Sequence, residues 1–228
     1  MVPRRSPTLR LRARGPLACF TRPELKVERV SYPVMTPSAA RGLLEAVMWK
    51  PALRWQIERI HVLRPIRYLA FRRNEVSSRA VAPAAPIIKN GGRILSYFAD
   101  DDRAQRNTVA LRDVDYLIEA HFEMTERAGP LDNVTKFVEI FERRLAKGQC
   151  FHQPYLGCRE LAAEVLPAPP APDTPPAEDL NEDLGLMLWD IEYSKKANRP
   201  LFFHARLDHG ILAVPAAPET GASEVSPA

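Results

Sequence analysis

Thr8-Leu9-Arg10-Leu11-Arg12-Ala13-Arg14 alternates apolar and basic side chains after its first residue. On an extended backbone successive side chains point to opposite faces. The pattern therefore predicts a β-strand with Leu9, Leu11 and Ala13 on one side and three guanidiniums on the other. Holding like charges along one sheet face is costly unless an anion meets them, and nucleic acid is the candidate anion. The competing reading is a solvated edge strand whose charges discourage aggregation.

The basic excess extends beyond this strand. Residues 1–76 carry 16 Lys and Arg against 5 Asp and Glu, whereas the other 152 carry 16 against 23, so a net charge of +4 hides a polarised chain. Arg22, Lys26, Arg29, Arg41, Arg72 and Arg73 add to the basic part. Phe20, Tyr32, Trp49, Tyr68 and Phe71 are interleaved with them, as in surfaces that stack unpaired bases between phosphate contacts. Trp49, at a helix end, is also expected to be at least half core. At 228 residues, 46% hydrophobic and 26% charged, the chain can bury a full core. Cys19, Cys150 and Cys158 lack C-x-x-C spacing and suit a reducing compartment. The charged N-terminal stretch has no signal-peptide core, and no apolar run reaches the ~20 residues of a membrane span. A cytoplasmic protein with no membrane partner is expected.

Thr36-Pro37 reads as an N-cap followed by proline in the first helical turn, and Ala40, Leu43, Leu44, Val47 and Met48 recur at helical spacing until Lys50-Pro51 stops them. Leu53, Trp55 and Ile57 alternate, and the phase then slips to Ile60 and Val62, predicting a long bulged strand that runs on towards Phe71. Residues 77–107 show no sustained period and read as a long excursion, with Asp100-Asp101-Asp102 a solvated acidic run. Val114 to Met124 alternate as a third strand with Asp115, Glu119, His121 and Glu123 on its polar face. Val134, Phe137, Val138, Phe141 and Leu145 form a helical stripe over about 132–147, closed by Gly148. The aromatic-rich Cys150 to Gly157 follows.

Two β-α-β units in succession predict an α+β fold, the ferredoxin-like (split βαβ) arrangement that RNA-recognition motifs share, with a small C-terminal β appendage. Its expected boundaries are 1–166 for the RNA-binding and processing domain and 167–179 for a spacer, with six prolines between Pro167 and Pro176. Residues 180–215 are the β subdomain, with strands at Leu186–Tyr193 and Leu201–Val214, the second folding at Asp208-His209-Gly210. Residues 216–228 are a disordered tail.

Several short motifs then occur in order: Gly15-Pro16 through Cys19-Phe20-Thr21, Val27 to Tyr32, Thr36 to Gly42, Trp49-Lys50-Pro51, Arg73 to Val76, Leu111 to Val114, and Gly148 through Gly157. Together they resemble the CRISPR-associated pre-crRNA endoribonucleases of type I-C (Dvulg) systems, over roughly residues 8–214 apart from 77–107 and the spacer. The resemblance implies a subunit that cuts precursor CRISPR RNA in the repeat without metal or cofactor. It implies retention of the 5′ handle and assembly with the large and backbone subunits of an effector complex, with target DNA a further candidate partner. It also implies a cleavage site made of a tyrosine before Trp-Lys-Pro and a Lys-His pair early in the second helix. Here those positions read Met48, Lys136 and Phe137, and only the lysine matches.

Metal-free RNA cleavage needs a group to deprotonate the 2′-hydroxyl, one to protonate the leaving 5′ oxygen and a cation over the phosphorane. Lys136 is the candidate cation and His152 the candidate proton carrier. The bland reading of His152 is a loop histidine that merely contacts phosphate, and zinc at Cys150 and His152 lacks a second ligand pair. His121 reads as a hydrogen-bonded sheet-face residue beside Glu119 and Glu123. Arg10, Arg12, Arg14, Arg22, Lys26, Arg29, Arg41, Trp49 and Arg73 are the candidate RNA contacts. Gly157 either lets backbone approach RNA or simply makes a turn. A cutting enzyme and a non-catalytic clamp on the 5′ handle both follow from these residues.

Overall fold

The computed structural model describes residues 4–25, 27–78, 89, 98–168, 180–193 and 198–218. The alternating N-terminal stretch is a strand, β1 (Leu9–Ala18), with Leu11 and Ala13 fully buried. Among the described residues the elements that follow are β2 (Arg29–Val30), α1 (Pro37–Val47), β3 (Leu53–Val62), β4 (Tyr68–Val76), β5 (Arg103–Met124), α2 (Val134–Ala146), β6 (Glu164–Pro167), β7 (Glu182–Glu192), β8 (Arg199–Asp208) and β9 (Ile211–Ala213). The strands form one sheet in the order β6-β1-β5-β3-β9-β8-β7, with β2 and β4 paired to β5. Every pairing is antiparallel except β2 with β5. The described residues are thus α+β, a mainly antiparallel sheet with the helices α1 and α2. None of its described helices is long and apolar enough to cross a membrane.

Local chemistry accounts for the helices. Thr36 Oγ1 accepts the Ala39 amide at 3.3 Å, and Pro37 starts α1 without needing an amide partner. Ala40, Leu43, Leu44 and Val47 bury one face, and Met48 ends the helix in extended conformation ahead of Lys50-Pro51. In α2, Asn133 Oδ1 accepts the Lys136 amide at 2.9 Å, and Val134, Phe137, Phe141 and Leu145 face inward. Arg143 and Arg144 occupy the last turn, where the helix dipole favours cations, and Gly148 (φ +62°) takes the left-handed position beyond it. Trp55 of β3 packs between Phe122 at 5.4 Å and Phe141 at 5.0 Å, locking the sheet to α2.

The sheet differs from expectation in three places. The bulged strand does not run on to Phe71: the bulge lies between Ile57 and Arg59, but β3 stops at Val62, before Pro65, and β4 is separate. The end of the 77–107 excursion is strand, because β5 starts at Arg103 and its first nine residues pair with β4 as a projecting two-stranded arm. Asp113 (φ +52°) marks the joint, opposite a gap in the β1–β5 register between Gly15 and Leu17. The strand after α2 is not the aromatic stretch 150–157 but β6, which ends on Pro167 at the sheet edge, where a missing amide is tolerated. Residues 169–179 of the spacer and 219–228 of the tail lie outside the described residues. The C-terminal strands join the main sheet through β9 on β3, after a turn at His209 (φ +47°) and Gly210 (φ +73°).

Candidate nucleic-acid interface

The basic side of β1 is met by carboxylates from the same chain. Arg12 forms a two-pronged bond with Asp115 (2.6 and 2.9 Å), and Arg14 one with Glu164 of β6 (2.7 and 3.0 Å). Arg10 reaches Glu119 at 2.9 Å, where Arg59 (3.4 Å) and His61 (3.6 Å) also converge. Asp115 is only 2% exposed, and its hydrogen bond raises the Arg12 guanidinium further above its usual range. The anions inferred from the arginine row are therefore present already, on β5 and β6. Burial outweighs Glu119 and keeps His61 below the usual imidazole range, and its Nε2 makes no hydrogen bond. His121 is hydrogen-bonded as expected, but to Glu58 of β3 (2.7 Å), with Arg5 alongside at 3.3 Å.

The remaining cationic candidates gather around α1. Arg41 grips both carboxylate oxygens of Asp190 on β7 and lies 3.6 Å from Glu45. It lines a cleft of about 550 Å³ between the α1 N-terminus, residues 155–160 and β7, together with Arg29, Tyr155, Gly157, Arg159 and Tyr193. Arg29 bonds Cys158 Sγ at 3.2 Å and sits 3.6 Å from Glu75; Arg73 bridges Glu75 (2.6 Å) and Glu160. Arg22 lies 4.6 Å over the Tyr32 ring and 3.6 Å from Glu24. Lys26 lies outside the described residues.

At the other end of α1 a more open groove of about 730 Å³ is lined by Arg4, Glu45, Trp49, Lys50, Arg54 and Arg127. Trp49 is 54% exposed rather than half core, because the extended turn at Met48 sends Met48 inward and Trp49 out. Arg41, which lines the cleft, and Glu45, which lines the groove beside Trp49, are one helical turn apart, so one flank of α1 connects the two. Burial lifts the Glu45 carboxyl above its usual range despite Arg41. Tyr68, on the arm, is also half exposed, whereas Phe20 and Tyr32 are buried in the core and cannot stack a base.

The two candidate catalytic residues are not brought together. Lys136 lies in the first turn of α2, its Nζ 3.0 Å from Asp132 Oδ1, and that bond holds the Asp132 carboxyl below its usual range. His152 follows the far end of α2, which at 13 residues is ~20 Å long. There it is exposed, its Nδ1 3.1 Å from Gln153 O, beside Tyr155. The Phe151 amide donates to Ala46 O (2.7 Å) and pins this segment against the last turn of α1. Met48 and Phe137 are core. The Met48 carbonyl accepts from Trp55 Nε1 at 2.9 Å, and Phe137 packs edge-on to Phe122. No group of three or more His, Cys, Asp or Glu among the described residues is arranged to hold a metal ion.

Sequence reasoning missed Glu45, Lys50, Arg54, Arg127, Tyr155 and Arg159. The four-residue step from Arg41 to Glu45 within α1 was a usable signal for Glu45. The cleft wall 155–160 has no period, and Arg127 reaches the groove through a turn.

The sequence profile of the family described as CRISPR-associated protein (Cas_Cas5) matches residues 8–215. A protein of Mannheimia succiniciproducens named CRISPR pre-crRNA endoribonuclease Cas5d is 46% identical over 213 residues, covering 91% of this chain and 94% of that one. A protein of Thermus thermophilus bearing the same name is 45% identical over 226 residues, covering 91% of each. A solved structure described as a CRISPR-associated protein superposes with a TM-score of 0.68 at 22% identity, covering 97% of this chain and 96% of that one, a likeness of fold.

Proposed function

The chain belongs to the Cas5d family of CRISPR-associated proteins, and from that premise we propose that it is an endoribonuclease that processes precursor CRISPR RNA. The observation that carries this reading is identity near 45% to two proteins so named over nine tenths of each. The strand order β6-β1-β5-β3, with α1 leading from β1 to β3 and α2 from β5 to β6, supports a ferredoxin-like core for it. RNA lies along the outward flank of α1, its phosphates near Arg29, Arg41 and Lys50 and an unpaired base on Trp49. The RNA 2′-hydroxyl attacks the adjacent phosphate and leaves a 2′,3′-cyclic phosphate and a 5′-hydroxyl. Lys136 Nζ, drawn from Asp132, covers the charge of the phosphorane, while His152, beyond the far end of α2, takes its other reading, a phosphate contact where RNA follows the 150–155 segment. The product's 5′ handle stays bound in a cytoplasmic type I-C effector complex with its large and backbone subunits, which engages target DNA.

Purified protein incubated with its cognate repeat RNA in EDTA is expected to release one product at the base of the repeat hairpin, ending in a cyclic phosphate. Absence of any site-specific product at stoichiometric enzyme would overturn the reading. A second reading, a clamp that holds the 5′ handle without cutting, is favoured by one observation: Met48 and Phe137 are core residues and cannot move protons. Tight binding of the repeat with no product selects the clamp.

A further inference from the structure

Cys19 directly follows β1, and Cys158 stands in the 155–160 wall of the α1 cleft. The Cys19 amide donates to Leu156 O at 3.0 Å. Gly157 (φ +86°) has no room for a side chain: a Cβ there would lie 2.0 Å from the Cys19 carbonyl oxygen. Glycine is what lets the two backbones touch. Both cysteines are buried, in a small cluster with Ala110, and Cys158 alone of the two borders the cleft.

The Cys158 thiol donates to the Cys19 carbonyl oxygen at 3.7 Å, the Cys19 sulfur lies 3.6 Å from Thr21 Oγ1, and Arg29 Nη1 donates to Cys158 Sγ at 3.2 Å. A structural thiol in an apolar cluster needs no guanidinium. The adjacent Cys19 and the charge of Arg29 stabilise the Cys158 thiolate and bring its thiol below the usual range, while Cys19 is pushed up. Cys150 is an internal contrast: it is exposed, yet burial of its thiol raises it above the ordinary range.

We propose that Cys19 and Cys158 are an oxidisable dithiol in the cleft wall, converted by a small peroxide into an intramolecular disulfide. The Cys158 thiolate attacks one oxygen of hydrogen peroxide; the O–O bond breaks, and hydroxide leaves and takes up a proton as water, giving Cys158 sulfenic acid. The Cys19 sulfur then attacks the sulfenic sulfur. The S–O bond breaks, the hydroxide leaves as water with the Cys19 proton, and the S–S bond forms. Two thiols lose two electrons and the peroxide becomes two waters. This inference does not depend on the RNA reading.

The test treats the reduced full chain with hydrogen peroxide at pH 7, then denatures it, alkylates remaining thiols with a maleimide and measures mass and peptides. The expected result is a loss of two hydrogens with one alkylated thiol, Cys150, and recovery of all three on adding dithiothreitol. Cys19→Ser is expected to stop at a dimedone-reactive Cys158, and Arg29→Met to slow Cys158 oxidation about tenfold. Oxidation of Cys150 while Cys19 and Cys158 stay reduced, or disulfides that join separate chains, would overturn the proposal. The wild-type measurement decides even if a variant fails to fold.

Discussion

The arginines of β1 and those flanking α1 carry the same charge in different surroundings. On the sheet face, Arg10, Arg12 and Arg14 are matched by Glu119, Asp115 and Glu164, one of which is almost wholly buried. Along α1, Arg41 is also matched, by Asp190 of β7 and Glu45, but Trp49, Lys50 and Arg127 line an open groove. A row of arginines thus says that an anion is needed, and only tertiary structure says whose. The sheet face is a counterion lattice that stabilises the fold; the α1 flank has exposed aromatic and cationic groups to offer a ligand.

Substitutions on the two surfaces should separate these roles. Lys136→Ala is expected to have the largest effect, lowering single-turnover cleavage of the repeat RNA about 10²–10³-fold with an unchanged melting curve. A loss of stability instead would make Lys136 part of the framework. Arg12→Ala leaves the buried Asp115 with only Arg64, at 3.9 Å, and is expected to cost about 2–3 kcal/mol in urea unfolding. Arg14→Ala, whose pair with Glu164 is exposed, stays within about 0.5 kcal/mol. If Arg12→Ala left stability intact and abolished RNA binding, the division between the two surfaces would fail. Trp49→Ala removes a stacking platform and is expected to weaken repeat RNA binding by about 1–2 kcal/mol, read by titration at fixed salt, with little change in unfolding.

The smallest effect is a slope. His61 is held below its unfolded value by burial among Glu119, Arg10 and Arg59, so the unfolded chain takes up a proton first as pH falls. Its contribution to stability is complete above the unfolded pKa of about 6.5 and is lost as pH falls below that towards the folded value. Unfolding measured from pH 7.5 to 5 should therefore be flatter for His61→Gln than for wild type. An identical slope would show that the imidazole is not neutral in the fold.

What could be read from sequence was local. The β1 alternation, the Thr36 and Asn133 ends of the helices, Gly148 and the Asp208-His209-Gly210 turn each express a short-range rule about backbone or burial. Strand β6 escaped because four residues ending in proline carry almost no period. The arm escaped because Ala104 is the one apolar residue from Arg103 to Asn107, so no apolar phase announced a strand. The ion pairs of Arg10, Arg12 and Arg14 join positions 103 to 150 residues apart, a distance over which periodicity carries no information. Pairing Lys136 with His152 overlooked the length of the helix between them.

Strand β5 carries a mechanical consequence. Its 22 residues pass without interruption from the arm to the middle of the sheet, turning only at Asp113. A load applied at the far tip is therefore resisted in shear by the whole ladder against β4, and only then reaches the corner two residues from Asp115. The arm behaves as a cantilever clamped in the most protected part of the protein, and whatever grasps its end pulls on the centre.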